Sequence, residues 1–139
     1  MIDFHFHSLH SDGTDEPGEL ALMADRAGLY AACLTDHDTV AGIPAFLAMQ
    51  DRVSTRLFAG TELSCTFLGR SLHMLGLLVD PQDTRFLGRL HDLRARRADR
   101  NHRMVRRLQE LGYGLTLEDV AEQAESPLLS RVHFAKALK

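Results

Sequence analysis

Apolar and polar residues alternate at the start of the chain, and longer apolar runs follow at intervals. Residues 2–6 (IDFHF) have the period-two pattern of a β-strand. Apolar runs over 30–35, 56–64 and 71–79 predict three more strands. The last two are separated by a short turn at 68–70, which predicts a β-hairpin.

Helical patterns lie between and after these strands. A helix is expected from about 17 to 27, because proline suits a first helical turn and Gly28 suits a helix end. A shorter helix is expected near 40–50, a long one over 85–111, and another beginning at Thr116. Strands that alternate with helices predict an α/β fold.

Histidines and carboxylates occur where the predicted strands end or turn. Six of them are candidate metal ligands: His5, His7, Asp12, His37, Glu62 and His73. The period-two geometry of a strand places His5 and His7 on one face, where both can reach one ion. Taken alone, His5 and His7 fit a solvated strand face equally well, and His73 fits a buried core histidine. The repetition of the pattern at four places favours metal binding, and imidazole with carboxylate suits zinc, iron or manganese.

The carboxylates among the six have their own arguments. Glu62 interrupts an otherwise apolar strand, and a buried carboxylate is costly unless it is paired or binds a metal. Asp12 with Gly13 reads as a tight turn that can hold a carboxylate near a strand end. His37 directly follows an apolar strand, and the carboxyl ends of strands are where α/β barrels build active sites.

Four segments together resemble a known family. They are similar, in order and spacing, to the opening motifs of the polymerase and histidinol phosphatase (PHP) metallophosphoesterases. The four segments are HFHSLHSDGT, LTDHDTVAG, AGTELS and LHMLGLLVD. The resemblance covers about the first 80 residues. It implies an α/β fold, the N-terminal part of a distorted (β/α)7 barrel. It also implies two or three divalent metal ions (zinc, manganese or iron) at the carboxyl ends of the strands.

The resemblance implies a role for each candidate ligand. His5 and His7 would bind one ion, His73 a second, and Asp12 with His37 a third or shared one, while Glu62 would bridge ions. Asp12, His37 and Glu62 would be the residues of catalysis. Asp36 and Asp38 flank His37 and are expected to orient it.

The second half resembles a PHP subgroup more weakly. Two segments look like the helical insertion of enzymes that act on nucleoside monophosphates, 3′,5′-bisphosphates and short RNA 5′ ends. These segments are RARRADRNHRMVRRLQELGYGLTLEDVAEQA and SRVHFAKAL. The implied organisation is a barrel part over 1–80 and an Arg-rich helical segment over 81–139. Arg131 and His133 would contact substrate, although the family has proline where this chain has Val132.

The implied activity is hydrolysis of a phosphomonoester or phosphodiester of a nucleotide or short oligonucleotide by metal-activated water. The family pattern also includes a later histidine and a late Asp-x-His pair, which these 139 residues do not contain. We therefore expect a fragment of a longer enzyme or a half-site completed by another chain. The competing interpretation is a catalytically incomplete metal-binding or regulatory module. An open barrel edge predicts self-association.

Charge is unevenly distributed along a weakly acidic chain of net charge −3. Nine arginines crowd residues 85–107, which is the pattern either of a solvated helix face or of a surface that pairs with substrate phosphate. A nucleic-acid-binding module without chemistry would leave the histidine motifs unexplained.

Cysteine content and hydropathy bear on location. Cys33 and Cys65 fall in predicted strands and are expected to be reduced core residues. No apolar run is long enough to cross a bilayer, and no leader precedes the first strand, so we expect a soluble cytoplasmic protein.

Overall fold

The computed structural model describes residues 1–139 and contains one four-stranded sheet in the order β1-β2-β3-β4. The strands are β1 (Ile2–Phe6), β2 (Ala31–Leu34), β3 (Arg56–Phe67) and β4 (Arg70–Leu77). The strands β1, β2 and the first part of β3 are parallel, whereas β3 and β4 are antiparallel. The four predicted strands are confirmed, and the sheet is mixed.

Five helices accompany the sheet: α1 (Pro17–Arg26), α2 (Ile43–Leu47), α3 (Thr84–Glu110), α4 (Leu117–Ala121) and α5 (Arg131–Ala137). The helix predicted over 40–50 is shorter than expected. It passes into a 3-10 turn at Gln50–Arg52, where the Arg52 amide bonds to Met49 O at 2.8 Å. The long helix α3 is confirmed, and the Asp83 carboxylate caps it by accepting from the amides of Arg85 and Phe86.

The hairpin between β3 and β4 determines the position of His73. Leu68 and Gly69 both have positive φ (48° and 75°) and form a two-residue turn between the paired residues Phe67 and Arg70. Because this turn reverses the chain, β4 runs back along β3 and His73 pairs with Ser64. The predicted hairpin is therefore confirmed, and His73 lies within its second, antiparallel strand.

Two separate hydrophobic clusters form the interior. The larger cluster lies between the sheet, α1, α2 and the start of α3, and includes the fully buried Leu34, Phe46 and Leu90. The smaller one lies among the later helices and includes Val105 and Val120. Helix α3 contributes to both clusters, so packing is continuous across residue 80. The domain division at 80 and 81 and the helical insertion stay predictions.

The two cysteines have different environments, and both are free. Cys33 is buried as predicted, and burial raises the pKa of its thiol to about 11 against the lowering effect of a backbone hydrogen bond at Leu78. The prediction that Cys65 is a core residue is wrong, because the β3-β4 hairpin extends past the core and leaves Cys65 half-buried. None of the helices combines the length and the apolar character needed to cross a membrane.

Candidate metal centre

All six predicted metal ligands lie close together in the structure. Their donor atoms form three groups, and within each group the atoms lie within 4.8 Å of one another. The groups are His5 with His7 and Glu62, His7 with Asp12 and His37, and His37 with Glu62 and His73. His7, His37 and Glu62 each belong to two groups. The arrangement therefore offers overlapping positions for more than one ion.

Glu62 lies at the middle of this cluster and its side chain is only 7% exposed. Its Oε2 atom lies 2.9 Å from His5 Nε2 and 3.0 Å from His7 Nε2, and its Oε1 atom lies 2.8 Å from His73 Nδ1. Burial raises the pKa of Glu62, but the hydrogen bond with His5 and the charges of nearby imidazoles, when these are protonated, lower it below its usual value overall. Glu62 is thus a carboxylate surrounded by imidazoles.

His37 has the features expected of a metal ligand. Its Nδ1 atom is buried without a hydrogen-bond partner, 3.5 Å from Glu62 Oε2, and its Nε2 atom lies 3.5 Å from Asp12 Oδ2. Burial lowers the pKa of His37 to about 4, against the field of Asp12, so the imidazole is neutral and can offer a lone pair. An orphaned buried nitrogen is costly, and a bound cation would satisfy it. The nitrogen and carboxylate donors of the cluster therefore fit a divalent transition ion.

Asp36 holds the loop that presents Asp12. The buried Asp36 carboxylate accepts from the Ser8 amide at 2.7 Å and from the hydroxyls of Ser8 and Ser11 at 2.6 Å each. It makes no hydrogen bond with the His37 ring. The expectation that Asp36 orients His37 is therefore wrong, because the two serines take up both of its oxygens.

The Asp38 carboxylate makes no hydrogen bond with the His37 ring, and its expected role in orienting His37 stays a prediction. Its Oδ2 atom lies 2.7 Å from Arg97 Nη2, and the Ser64 amide donates to its Oδ1 atom at 2.7 Å. Burial raises the pKa of Asp38, but the hydrogen bonds from Ser64 and Arg97 and the charge of Arg97 hold it below its usual value overall. The Asp38 charge is therefore paired inside the protein.

The sequence interpretation missed Arg97, which it treated as one of nine similar arginines. The structure buries Arg97 on the side of α3 that also carries Leu90, Asn101 and Val105. Their spacing by seven, four and four residues is the periodicity of one helix face. An arginine within this face, among apolar and buried residues, was the signal that could have identified it.

Arginines of α3 line one wall of a groove, with the β3-β4 hairpin opposite. The groove has a volume of about 790 Å³. Its basic residues are Arg96, Arg97, Arg100, Arg103 and Arg131, and Asp99 is its only acidic one. Burial lowers the pKa of Arg100 to about 10, helped by the charges of Arg97 and Arg131 and opposed by Asp38. This part of α3 is therefore a concentrated cationic surface rather than an evenly solvated face.

The two predicted substrate contacts lie in different environments at the start of α5. Arg131 is exposed and lines the groove. His133 is buried, and its Nδ1 atom accepts from the Ser130 amide at 3.0 Å in a capping box. Burial lowers the pKa of His133, against the field of Asp12. The substrate role stays a prediction for both residues.

Comparison with known proteins identifies the family. The family model described as PHP domain matches residues 3–125. This chain belongs to the PHP domain family. The PHP chain is 30% identical over 138 residues to a 3′,5′-nucleoside bisphosphate phosphatase of Chromobacterium violaceum, covering 99% of the chain and 48% of that protein. It is 31% identical over 136 residues to a 5′-3′ exoribonuclease of Haemophilus influenzae, covering 98% of the chain and 49% of that protein.

Solved structures agree with this assignment. A proposed metal-dependent phosphoesterase of Bifidobacterium adolescentis superposes with a TM-score of 0.86 at 33% identity. An amidohydrolase of Chromobacterium violaceum, solved with sulfate and without metal, superposes with a TM-score of 0.90 at 30% identity. Both superpositions cover 99% of the PHP chain and 49% of the other chain. The PHP chain therefore spans about half the length of these four relatives, and the prediction of a partial PHP barrel is confirmed.

Proposed function

We propose that the protein is a metal-dependent phosphoesterase that hydrolyses a phosphate ester of a nucleotide or short oligonucleotide. The observation that carries the proposal is the sharing of His7, His37 and Glu62 among three overlapping groups of donor atoms. The activities named for the relatives, a nucleoside bisphosphate phosphatase and an exoribonuclease, support the same reaction class and substrate type.

The proposed roles follow the three groups. His5, His7 and Glu62 would hold one ion, His7, Asp12 and His37 a second position, and His37, Glu62 and His73 a third. Two or three ions, of zinc, manganese or iron, fit these donors. Bound divalent ions supply Lewis acidity toward a phosphoryl oxygen and lower the pKa of a bound water to near neutrality.

The residues of the chain supply positioning and charge. The neutral His37 imidazole offers a lone pair, and Glu62 keeps its negative charge among the histidines. The cationic groove would bind phosphate groups of the substrate, because guanidinium groups form bidentate hydrogen bonds with phosphate oxygens. His133 is proposed to contact substrate from the start of α5, beside Arg131.

The proposal is tested by removing metal with a chelator and adding back Mn²⁺, Zn²⁺ or Fe²⁺. Two reactions should depend on added metal. One is the release of inorganic phosphate from a 3′,5′-nucleoside bisphosphate, and the other is the release of nucleotide from a short 5′-phosphorylated RNA. Metal binding without hydrolysis of these substrates or of an aryl phosphate would favour the metal-binding module instead. Absence of both metal binding and hydrolysis would reject the phosphoesterase.

Arg131→Ala should raise the KM for a nucleotide substrate about tenfold and leave the metal content unchanged, since a charge-assisted hydrogen bond contributes about 1.5–3 kcal/mol. Steady-state kinetics and elemental analysis of the purified protein measure both quantities. Arg85→Ala is the matched control, because Arg85 is exposed on α3 outside the groove. Loss of metal in Arg131→Ala would place the residue in the metal centre rather than in the groove.

Self-association is proposed through β4, the edge strand next to β3. The support is its apolar surface, since Leu72, Met74 and Leu77 are all exposed. An apolar edge strand is a site where another chain or another segment can pair.

A further inference from the structure

The long helix α3 is joined to the metal centre through one buried arginine. We propose that Arg97 is a positioning residue, which sets the places of His37 and Glu62 through Asp38 and Ser64. The inference rests on the proposed metal centre and adds a residue that has no donor atom within it. It assigns a specific function to the one arginine of α3 that is buried.

Arg97 and Asp38 form a buried ion pair in which two nitrogens of the guanidinium group donate to one carboxylate oxygen. The exposed fractions of their side chains are 4% and 0%. Arg97 donates to Asp38 Oδ2 from Nε at 3.0 Å and from Nη2 at 2.7 Å. Arg94 adds a bond from Nη1 to the backbone oxygen of Asp38 at 3.0 Å. Helix α3 thus holds both the side chain and the backbone of Asp38.

The backbone of Asp38 lies in a conformation that needs such support. Its φ angle is 50°, in the left-handed region that non-glycine residues adopt only when the surroundings hold them there. Asp38 directly follows His37, and its amide donates to Glu62 O at 3.0 Å. The Glu62 amide in turn donates to Asp36 O at 3.1 Å. The direction of the chain at Asp38 therefore fixes how His37 lies against Glu62.

Ser64 closes the network on the side of Glu62. Its amide and its hydroxyl donate to Asp38 Oδ1 and Oδ2, each at 2.7 Å, and Arg97 Nη2 donates to its hydroxyl oxygen at 2.7 Å. Ser64 lies two residues after Glu62 on the same strand, so both side chains share one face of β3. One cluster of hydrogen bonds therefore joins the loop of His37 to the strand of Glu62.

The consequence follows from the sharing of ligands. His37 and Glu62 each belong to two of the three donor groups. A small displacement of either one changes the geometry at more than one ion position. Helix α3 also carries Arg96 and Arg100 of the groove, so the same rigid element holds the metal ligands and the cationic wall in register.

Arg97→Lys tests the inference, because lysine keeps the charge but lacks the planar fork that bonds Asp38 twice. Calorimetric titration of the metal-free protein with Co²⁺ should show affinity lower by about tenfold or more, the usual cost of losing a residue that orients metal ligands. The visible absorption spectrum of bound Co²⁺ should also change. Arg106→Lys is the control, since Arg106 is exposed on the same helix, and it should bind Co²⁺ as the parent does.

A merely structural role gives a different result. If Arg97 only anchors α3, the melting temperature of Arg97→Lys falls while Co²⁺ affinity and spectrum stay those of the parent, and the proposal is overturned. Ser64→Ala is a milder second variant that removes the hydroxyl from the network, and it should weaken Co²⁺ binding severalfold with the fold intact. Parent-like binding in a folded Ser64→Ala also overturns the proposal.

Failure of the catalytic proposal is distinguishable from failure of this one. A parent protein that binds Co²⁺ but hydrolyses no phosphate ester overturns the proposed activity, while the effect of Arg97 on Co²⁺ affinity is still measured. A parent protein that binds no Co²⁺ overturns the metal centre and the positioning role together.

Discussion

Glu62→Gln should remove at least half of the metal bound per chain and lower phosphate ester hydrolysis by about a thousandfold. The amide keeps the shape of the side chain but replaces a charged acceptor, which contacts His5, His7 and His73, with a neutral group that has one acceptor oxygen. Metal ions contribute several kcal/mol to transition-state stabilisation, and about 1.4 kcal/mol corresponds to a tenfold change in rate. Elemental analysis and a phosphate release assay measure the two effects.

Glu125→Gln is the control for this substitution. Glu125 is exposed and lies outside the metal centre, and its replacement changes the charge by the same amount. It should keep parent metal content and turnover. Full metal occupancy in a folded Glu62→Gln protein would mean that Glu62 is a buried partner of the histidines and not a ligand.

Gly13→Ala should lower the free energy of unfolding by about 3 kcal/mol and weaken metal binding at least about tenfold. An added Cβ would overlap the carbonyl oxygen of His7 and lie 2.6 Å from its carbonyl carbon and 3.0 Å from that of Ser8. These are backbone atoms, so no side-chain rotation can relieve the contact. The loop must move, and Asp12 and His7 move with it. Urea unfolding and calorimetric metal titration measure the two quantities.

Gly88→Ala is the matched control. Gly88 lies within α3, and an added Cβ meets no atom within 4 Å. Alanine is favoured over glycine inside a helix, so this variant should be more stable than the parent by up to about 1 kcal/mol and bind metal equally well. A Gly13→Ala protein of parent stability and metal affinity would show that the loop is not packed against His7 in this way.

Local patterns in the sequence were sufficient for much of the fold. The alternation over residues 2–6, the short turn before Arg70 and the glycine after the predicted helix at 85–111 each act within a few residues of chain. Strand pairing, the hairpin turn and the end of α3 agree with them. Such elements are predictable because their signals depend on backbone geometry and side-chain period rather than on distant contacts.

The sequence also identified the six residues that meet, but not the contacts of their neighbours. A short strand places His5 and His7 on one side by its period alone. No comparable rule predicts the hydrogen-bond partners of Asp36 and Asp38, since each carboxylate can accept from any donor that folding brings near. The structure pairs Asp36 with two serines and Asp38 with Arg97, which lies 59 residues away in sequence.

The sequence by itself determined the strands, the long helix, the family resemblance and the set of candidate ligands. The tertiary structure alone decided that Cys65 leaves the core, that one arginine of nine is buried and that this arginine pairs with Asp38. The physical reason is the range of the interactions. Periodicity and turn formation depend on a few neighbouring residues. Burial and ion pairing depend on which distant segments the completed fold brings into contact.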